Sequence, residues 1–273
     1  MIDRICISIN NRCNLKCRYC HFAEKKQHIT SVSMNVFKIL DNVDAYIRKY
    51  ELELFKIGFV GNGETLLDFD LLKEYILYIK NDAVQIYTIT NGMCVDSSKL
   101  LFLSEHNVNI GFSIDGIKSV HDKLRCGSFD SVMKAVELYK SINGCYPSMN
   151  CTVGREVLDH AEETIAFFKR FDSRITFSRM IGKYGIGMGE FRNFIDLASE
   201  NLDVRIGGYD CTMYGGKCGA GMNNYFFANQ KIYICGNCVD LPISFAYDTP
   251  LDQVDFQIKS FDRNCCFKET RTL

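Results

Sequence analysis

The segment Ile5-Cys6-Ile7-Ser8-Ile9-Asn10-Asn11-Arg12-Cys13-Asn14-Leu15-Lys16-Cys17-Arg18-Tyr19-Cys20-His21-Phe22 joins a short β-branched run to a cysteine loop. Ile5–Ile9 has the composition of a strand. The loop behind it is spaced Cys-x3-Cys-x2-Cys. Three thiolates on one short loop can hold three irons of a cubane and leave the fourth iron open, whereas four-cysteine ferredoxin loops leave none open. A zinc site is the alternative, with His21 as a fourth ligand, but zinc loops usually pair Cys-x2-Cys with a second, distant pair. A trio of merely buried thiols fits poorly, because Arg12, Lys16 and Arg18 interleave with the cysteines.

Outward from this loop, strand-like runs recur at Phe55–Val60, Val84–Thr90, Val108–Ile114, Ser148–Val153 and Arg174–Phe177. Between them lie helical faces: Phe37, Leu40, Val43 and Ile47; Phe69, Leu72, Ile76 and Ile79; Val132, Val136 and Tyr139; Ala161, Ile165 and Phe168. Strand and helix alternating about six times predicts a parallel sheet covered by helices, with its chemistry at the C-terminal strand ends. The pattern changes near Lys183, where a glycine-rich stretch reads as a linker. A helix is expected at Phe191–Asn201 and a hairpin at Tyr225–Ile234, turning near Asn229–Gln230. A boundary near residue 185 divides the chain into 1–185 and 186–273.

The charge balance, 32 basic against 33 acidic side chains, argues against nucleic-acid or membrane-surface binding by bulk electrostatics. The apolar runs are too short to span a membrane, and no signal peptide opens the chain. With 14 cysteines and no export signal, reduced thiols that bind metal in the cytoplasm are the better reading than disulfides.

At these residues the sequence resembles the radical S-adenosylmethionine superfamily. The resemblance implies a partial (β/α)6 TIM-type barrel followed by a small cysteine-rich, twitch-like domain with a β-hairpin. It implies a 4Fe–4S cluster on Cys13, Cys17 and Cys20 whose open iron binds S-adenosylmethionine. One electron then cleaves the sulfonium to a 5′-deoxyadenosyl radical. Tyr19 matches the aromatic position that packs near the adenine.

Gly61-Asn62-Gly63-Glu64-Thr65 looks like the family's Gly-Gly-Glu-Pro segment, whose backbone and glutamate meet the cofactor's amino group. Asn62 and Thr65 depart from the usual glycine and proline. Thr90-Asn91-Gly92, Ser113-Ile114-Asp115-Gly116, Arg125 and Gly127-Ser128-Phe129 follow in the order of peptide-modifying radical enzymes. By that resemblance Ser113 and Arg125 contact the cofactor carboxylate, a group that suits a guanidinium. Asn91 is a cofactor-side or turn residue. Asp115 is either a helix cap or a substrate-side acid or base.

The segment after residue 185 resembles the SPASM/twitch extension, with one auxiliary 4Fe–4S cluster. The expected ligands are Cys211, Cys218, Cys235 and one of Cys265 or Cys266, with Cys238 as the substitute for Cys211. Gln230 stands where that pattern has glycine. A zinc ribbon built on Cys235 and Cys238 is the rival. Cys6 and Cys151 read as small core residues. Cys94, Cys126 and Cys238 are spare thiols near the expected reactive sites, and the last is the candidate catalytic thiol.

The resemblance implies hydrogen abstraction from a peptide or protein substrate with an oxidative outcome, driven by a reductant such as flavodoxin or ferredoxin. The chain begins almost at the first strand, so a separate leader-peptide-recognition protein is the expected partner. The alternatives are a small-molecule dehydrogenase, a peptide epimerase, and a non-catalytic iron–sulfur or zinc scaffold. A scaffold would not need Gly61, Glu64, Ser113 and Arg125 in barrel order.

Overall fold

The computed structural model describes residues 1–20, 34–207, 220–236 and 242–258. Strand β1 (Arg4–Ile7) leads to α1 (Val36–Tyr50), β2 (Phe55–Phe59), α2 (Phe69–Tyr78), β3 (Val84–Thr90), α3 (Ser97–Glu105) and β4 (Asn109–Ser113). Helices α4 (Lys118–Leu124) and α5 (Phe129–Asn143) precede β5 (Ser148–Val153). Then come α6 (Arg155–Leu158), α7 (Ala161–Lys169), β6 (Ile175–Arg179), α8 (Met188–Ser199) and β7 (Val204–Ile206). The chain continues through β8 (Asn224–Ala228), β9 (Lys231–Tyr233), β10 (Pro242–Ala246) and α9 (Leu251–Ile258).

Periodicity explains the layers. Helix α1 buries Val36, Ile39, Leu40, Val43 and Ile47 at three- and four-residue intervals, and Glu51 in the left-handed region ends it. Each strand alternates. Ile5 and Ile7, Phe55 and Ile57, Ile110 and Phe112, Ile175 and Phe177 all face the helices and are 0–3% exposed. At roughly 1.5–3 kcal/mol per large apolar side chain, this helix-covered face carries the stability.

The sheet order is β10-β9-β8-β1-β2-β3-β4-β5-β6-β7. Strands β1 to β7 run parallel in sequence order, the expected barrel arrangement, and β8 pairs with β1 in parallel too. The parallel set thus has two members more than the six anticipated. Strand β7 is only three residues long, too short to leave an apolar signature. Strand β8 was legible only as half of the β8–β9 hairpin. One sheet therefore holds strands from both sides of residue 185. No pairing joins β7 to β8 among the described residues, so the barrel is open there.

The sheet nevertheless curls. Tyr87 on β3 feels the charge of Arg205 on β7, four strands away and about 19 Å distant in a flat sheet. Both side chains leave the concave side of the sheet, the lumen, Arg205 in register with Thr176 and Asn150. Side chains on this side include Arg4, Cys6, Asn150, Thr152 and Thr176, in place of the Val, Ile and Leu usual in closed barrels. Cys151 lies in the core as expected, 1% exposed. Cys6 is packed too, but on the lumen face, against a smaller apolar cluster of Phe226, Ala228 and Tyr233, where its sulfur lies 3.2 Å from the Tyr87 hydroxyl. Tyr87 reaches it by lying over Gly58, where any Cβ would overlap its ring.

Helix α8 begins at Met188, three residues before the expected start, because the Glu190 carboxylate accepts from the Gly187 N–H at 2.9 Å. Asn229 and Gln230 both take positive φ, 51° and 61°, the combination of a two-residue I′ hairpin turn. The turn survives the replacement of glycine by Gln230. No helix among the described residues is long and apolar enough to cross a membrane.

Candidate active site

The cysteine loop lies at the C-terminal end of β1 and is fastened on several sides. The Arg18 N–H donates to Leu124 O at 2.9 Å, and the Cys20 N–H to Cys17 O at 3.1 Å. Arg12 pairs with Asp68, and Asn10 Nδ2 donates to Asp68 at 2.7 Å and to Glu64 O at 3.0 Å. The loop β2 leads into lies directly beneath. A Cβ on Gly63 would overlap Asn10 and the Arg12 backbone, and one on Gly61 would overlap Ser8. These glycines let two loops close on each other. The departures Asn62 and Thr65 are accommodated: Asn62 Nδ2 donates to Asn11 at 3.0 Å, and Thr65 Oγ1 to Phe59 O at 3.0 Å.

Cys13, Cys17 and Cys20 are outside any disulfide. Cys13 is exposed and the other two are half-buried. Burial pushes the Cys17 thiol up to about 11, with Asp115, Cys20 and Cys13 adding and Arg125 opposing. Metal coordination deprotonates a thiol outright, and three thiols at this spacing are a donor set whose chemistry suits an iron–sulfur cluster, although no three His, Cys, Asp or Glu side chains among the described residues stand close enough together to hold a metal ion.

Glu64 is 3% exposed. Its Oε1 accepts from Thr90 Oγ1 at 2.8 Å and Leu66 N at 3.2 Å, and its Oε2 from Asn91 N at 2.8 Å. Burial raises its pKa against these bonds. Asn91 reaches the cysteine loop as well: its Nδ2 donates to Asn14 Oδ1 at 2.8 Å and points at Cys13 Sγ, 3.8 Å away.

Asp115 is the hub of the opposite side and is fully buried. Its Oδ2 accepts from Tyr19 OH and from Arg125 Nε, each at 2.6 Å, and its Oδ1 from Thr152 N at 2.9 Å. It caps no helix: α4 has Ile117 at its N-cap and no side-chain cap. Arg125 lies 5.5 Å above the Tyr19 ring. Burial disfavours its charge, but Asp115 outweighs this and holds its pKa well above the usual range. Burial also keeps Tyr19 protonated, and so a donor.

Behind Asp115 stands His121, whose role the sequence did not reveal. Its Nδ1 accepts from the Asp115 N–H at 3.2 Å, which leaves the proton on Nε2 to donate to Ser128 Oγ at 2.9 Å. Burial lowers its pKa to about 4, so the ring is neutral.

The structure therefore sets two hydrogen-bonded groups about the cysteine loop, Glu64 with Asn91 on one side and Tyr19, Asp115 and Arg125 on the other, with Gly61 and Gly63 closing the loop beneath. Ser113 ends β4 two residues before Asp115. Two spare thiols touch the same loop: Cys94 Sγ accepts from Asn14 Nδ2 at 3.2 Å, and Cys126 Sγ donates to Lys16 O at 3.1 Å. Cys235 follows β9 and is half-buried. The hairpin that carries it meets the cysteine loop, through Asn11 Nδ2 donating to Asn229 Oδ1 at 2.7 Å. Cys211, Cys218, Cys238, Cys265, Cys266 and His21 lie outside the described residues.

Comparison with known proteins points the same way. The sequence profile of the Radical SAM superfamily matches residues 7–168. A cysteine-type anaerobic sulfatase-maturating enzyme of Clostridium novyi (strain NT) is 27% identical over 177 residues, 60% of this chain and 47% of that protein. The antilisterial bacteriocin subtilosin biosynthesis protein AlbA of Bacillus subtilis (strain 168) is 28% identical over 137 residues, 48% of this chain and 29% of that one. The chain spans about half or less of the length of these curated relatives. The solved structure of native anSMEcpe with bound AdoMet shares the fold, with a TM-score of 0.73, 20% identity and coverage of 98% of this chain and 87% of that chain. The same protein has been solved with AdoMet and the Cp18Cys peptide, at a TM-score of 0.72 and 18% identity.

Proposed function

This chain belongs to the radical SAM superfamily, and on that premise we propose that it abstracts a hydrogen atom from a peptide or protein substrate and carries it to an oxidised product. The superfamily implies a 4Fe–4S cluster and S-adenosylmethionine, which together supply a 5′-deoxyadenosyl radical. Cys13, Cys17 and Cys20 would hold the cluster.

The chain's own residues have distinct tasks around that pair. Glu64 spends three acceptor positions on Thr90, Leu66 and Asn91. A carboxylate offers about four, so one remains for the cofactor's amino group. Arg125 spends Nε on Asp115 and has its Nη groups left for the cofactor's carboxylate. Asp115 acts as a positioning residue rather than an acid or base: it is sealed from solvent and bonded to Tyr19, Arg125 and Thr152. Tyr19 lies beneath the guanidinium and closes that side of the rim.

The observation that carries this reading is the convergence of the cysteine loop, Glu64 and Arg125 at the C-terminal ends of neighbouring parallel strands. A peptide or protein substrate is supported by the sulfatase-maturating and bacteriocin-biosynthesis roles of the relatives and by the peptide complex of the structural neighbour. An auxiliary 4Fe–4S cluster on Cys211, Cys218, Cys235 and one of Cys265 or Cys266 is part of the proposal, as electron acceptor. Iron and sulfide assay after anaerobic reconstitution should give about eight irons per chain, and about four with bound zinc would favour a ribbon in the tail. Mass analysis of the product should show the loss of two hydrogens. An unchanged mass with deuterium gained from solvent, lost in a Cys94, Cys126 or Cys238 alanine variant, would instead mean epimerisation.

A further inference from the structure

The lumen carries a second cluster of polar groups below the rim, which the proposed chemistry leaves unused. Arg4 on β1 lies in register with Asn224 on β8, so both side chains leave the same face of the sheet. Arg4 Nε and Asn224 Oδ1 are sealed from solvent and have no hydrogen-bond partner among the described residues. One is a donor and the other an acceptor, on neighbouring strands. Two residues further along β1, Cys6 contacts Tyr87. Arg205 lies in register with Thr176 and, through it, Asn150, so its side chain leaves this same face, and both Arg4 and Arg205 lie near enough to Tyr87 for their charges to bear on it.

Among the described residues no acidic side chain on this face balances those charges. None of the eight parallel strands places an Asp or Glu toward the lumen. No ion pair involves Arg4 or Arg205 among the described residues. A buried unpaired polar atom in a native protein calls for an explanation, often a missing water or ligand. A buried water would satisfy Arg4 Nε and Asn224 Oδ1, yet it would leave the half-buried Arg4 guanidinium without a counter-charge among the described residues. An anion that also carries a hydrogen-bond donor meets every requirement at once.

We propose that the lumen floor between Arg4, Asn224 and Arg205 binds an oxyanion carried by the substrate. Two sources share this chemistry: a carboxylate beside a backbone N–H, as at a peptide C-terminus, and a phosphate monoester that keeps one proton. The inference rests on the reading of the lumen as the place where substrate lies, beneath the cofactor rim. It adds the class of group that anchors the substrate's far end.

Isothermal titration of the reconstituted holoenzyme tests it with three probes: N-acetylglycine, its neutral analogue N-acetylglycinamide, and inorganic phosphate. At least one charged probe should bind saturably, and the amide should not. Arg205→Gln, at an exposed residue whose loss the fold tolerates, should weaken that binding about tenfold. Arg4→Gln should do the same or more, with iron content and circular dichroism checking that the chain has folded. Failure of both charged probes to bind, or equal binding by wild type and Arg205→Gln, overturns the proposal. Binding of phosphate with refusal of N-acetylglycine would uphold the oxyanion site while counting against a peptide substrate.

Discussion

The two faces of the sheet are made by the same strands and serve opposite ends. Toward the helices the strands present Ile5, Ile7, Phe112, Met149 and Phe177, all 0% exposed. Toward the lumen they present Arg4, Cys6, Tyr87, Asn150, Thr152 and Arg205. A closed barrel fills its centre with branched apolar side chains. Here the outer face carries the larger core, and the inner face keeps only a small apolar cluster, Phe226, Ala228 and Tyr233, among its polar side chains. Ligand chemistry can therefore change on every second residue without disturbing the layer that keeps the strands together.

The largest effect that could break this comparison is expected at Phe177, which packs edge-on against Phe168 and Phe194. Phe177→Ala should cost about 3–5 kcal/mol in urea unfolding. Thr176→Ala, one residue away on the lumen face, should cost less than about 1 kcal/mol. Equal losses would mean that the lumen is core after all. Asp115→Asn comes next, since it leaves the buried Arg125 without its counter-charge. A loss of about 3 kcal/mol is expected, together with S-adenosylmethionine affinity weakened about tenfold and iron content unchanged. Affinity equal to wild type would remove Asp115 as the residue that aims Arg125.

A pH measurement sharpens the comparison further. His121 has an ordinary value of 6.5, and burial lowers it to about 4. As pH falls through this window the unfolded chain takes up the proton before the folded one. Stability contributed here is therefore whole above about 6.5 and declines toward about 4, by roughly 1.4 kcal/mol per pH unit. In His121→Gln that slope should flatten, which unfolding midpoints across the window would show. A slope equal to that of wild type would place the acid sensitivity elsewhere. The smallest effect is expected at the hairpin: Gln230→Gly relieves a positive φ and should stabilise the chain by about 1 kcal/mol, read as a raised urea midpoint.

The sequence made the helix-covered face legible because alternation and helical spacing are local signals. The rim was legible for a different reason: its members stand in short motifs at strand ends, in chain order. What remained hidden depends on distance along the chain. Nothing near Val204–Ile206 marks a strand, because three residues carry no period. The pairing of Arg4 with Asn224 joins positions 220 residues apart, and no local pattern announces it. Cys6 is packed as its neighbours Ile5 and Ile7 suggest, yet alternation turns it to the other face, against Phe226, Ala228 and Tyr233. His121 lies between Asp115 and Arg125 in the chain, but its part follows only from the fold that brings its ring to the Asp115 N–H.

The account's central claim is that the loop bearing Cys13, Cys17 and Cys20 holds a cluster that meets S-adenosylmethionine beside Glu64 and Arg125. Electron paramagnetic resonance of the anaerobically reconstituted, reduced protein, recorded with and without S-adenosylmethionine, tests it most directly. The signal of one 4Fe–4S cluster should change on addition of S-adenosylmethionine in the wild type, and that component should be missing from Cys17→Ala. A spectrum indifferent to S-adenosylmethionine, or one that Cys17→Ala leaves unaltered, would contradict the claim.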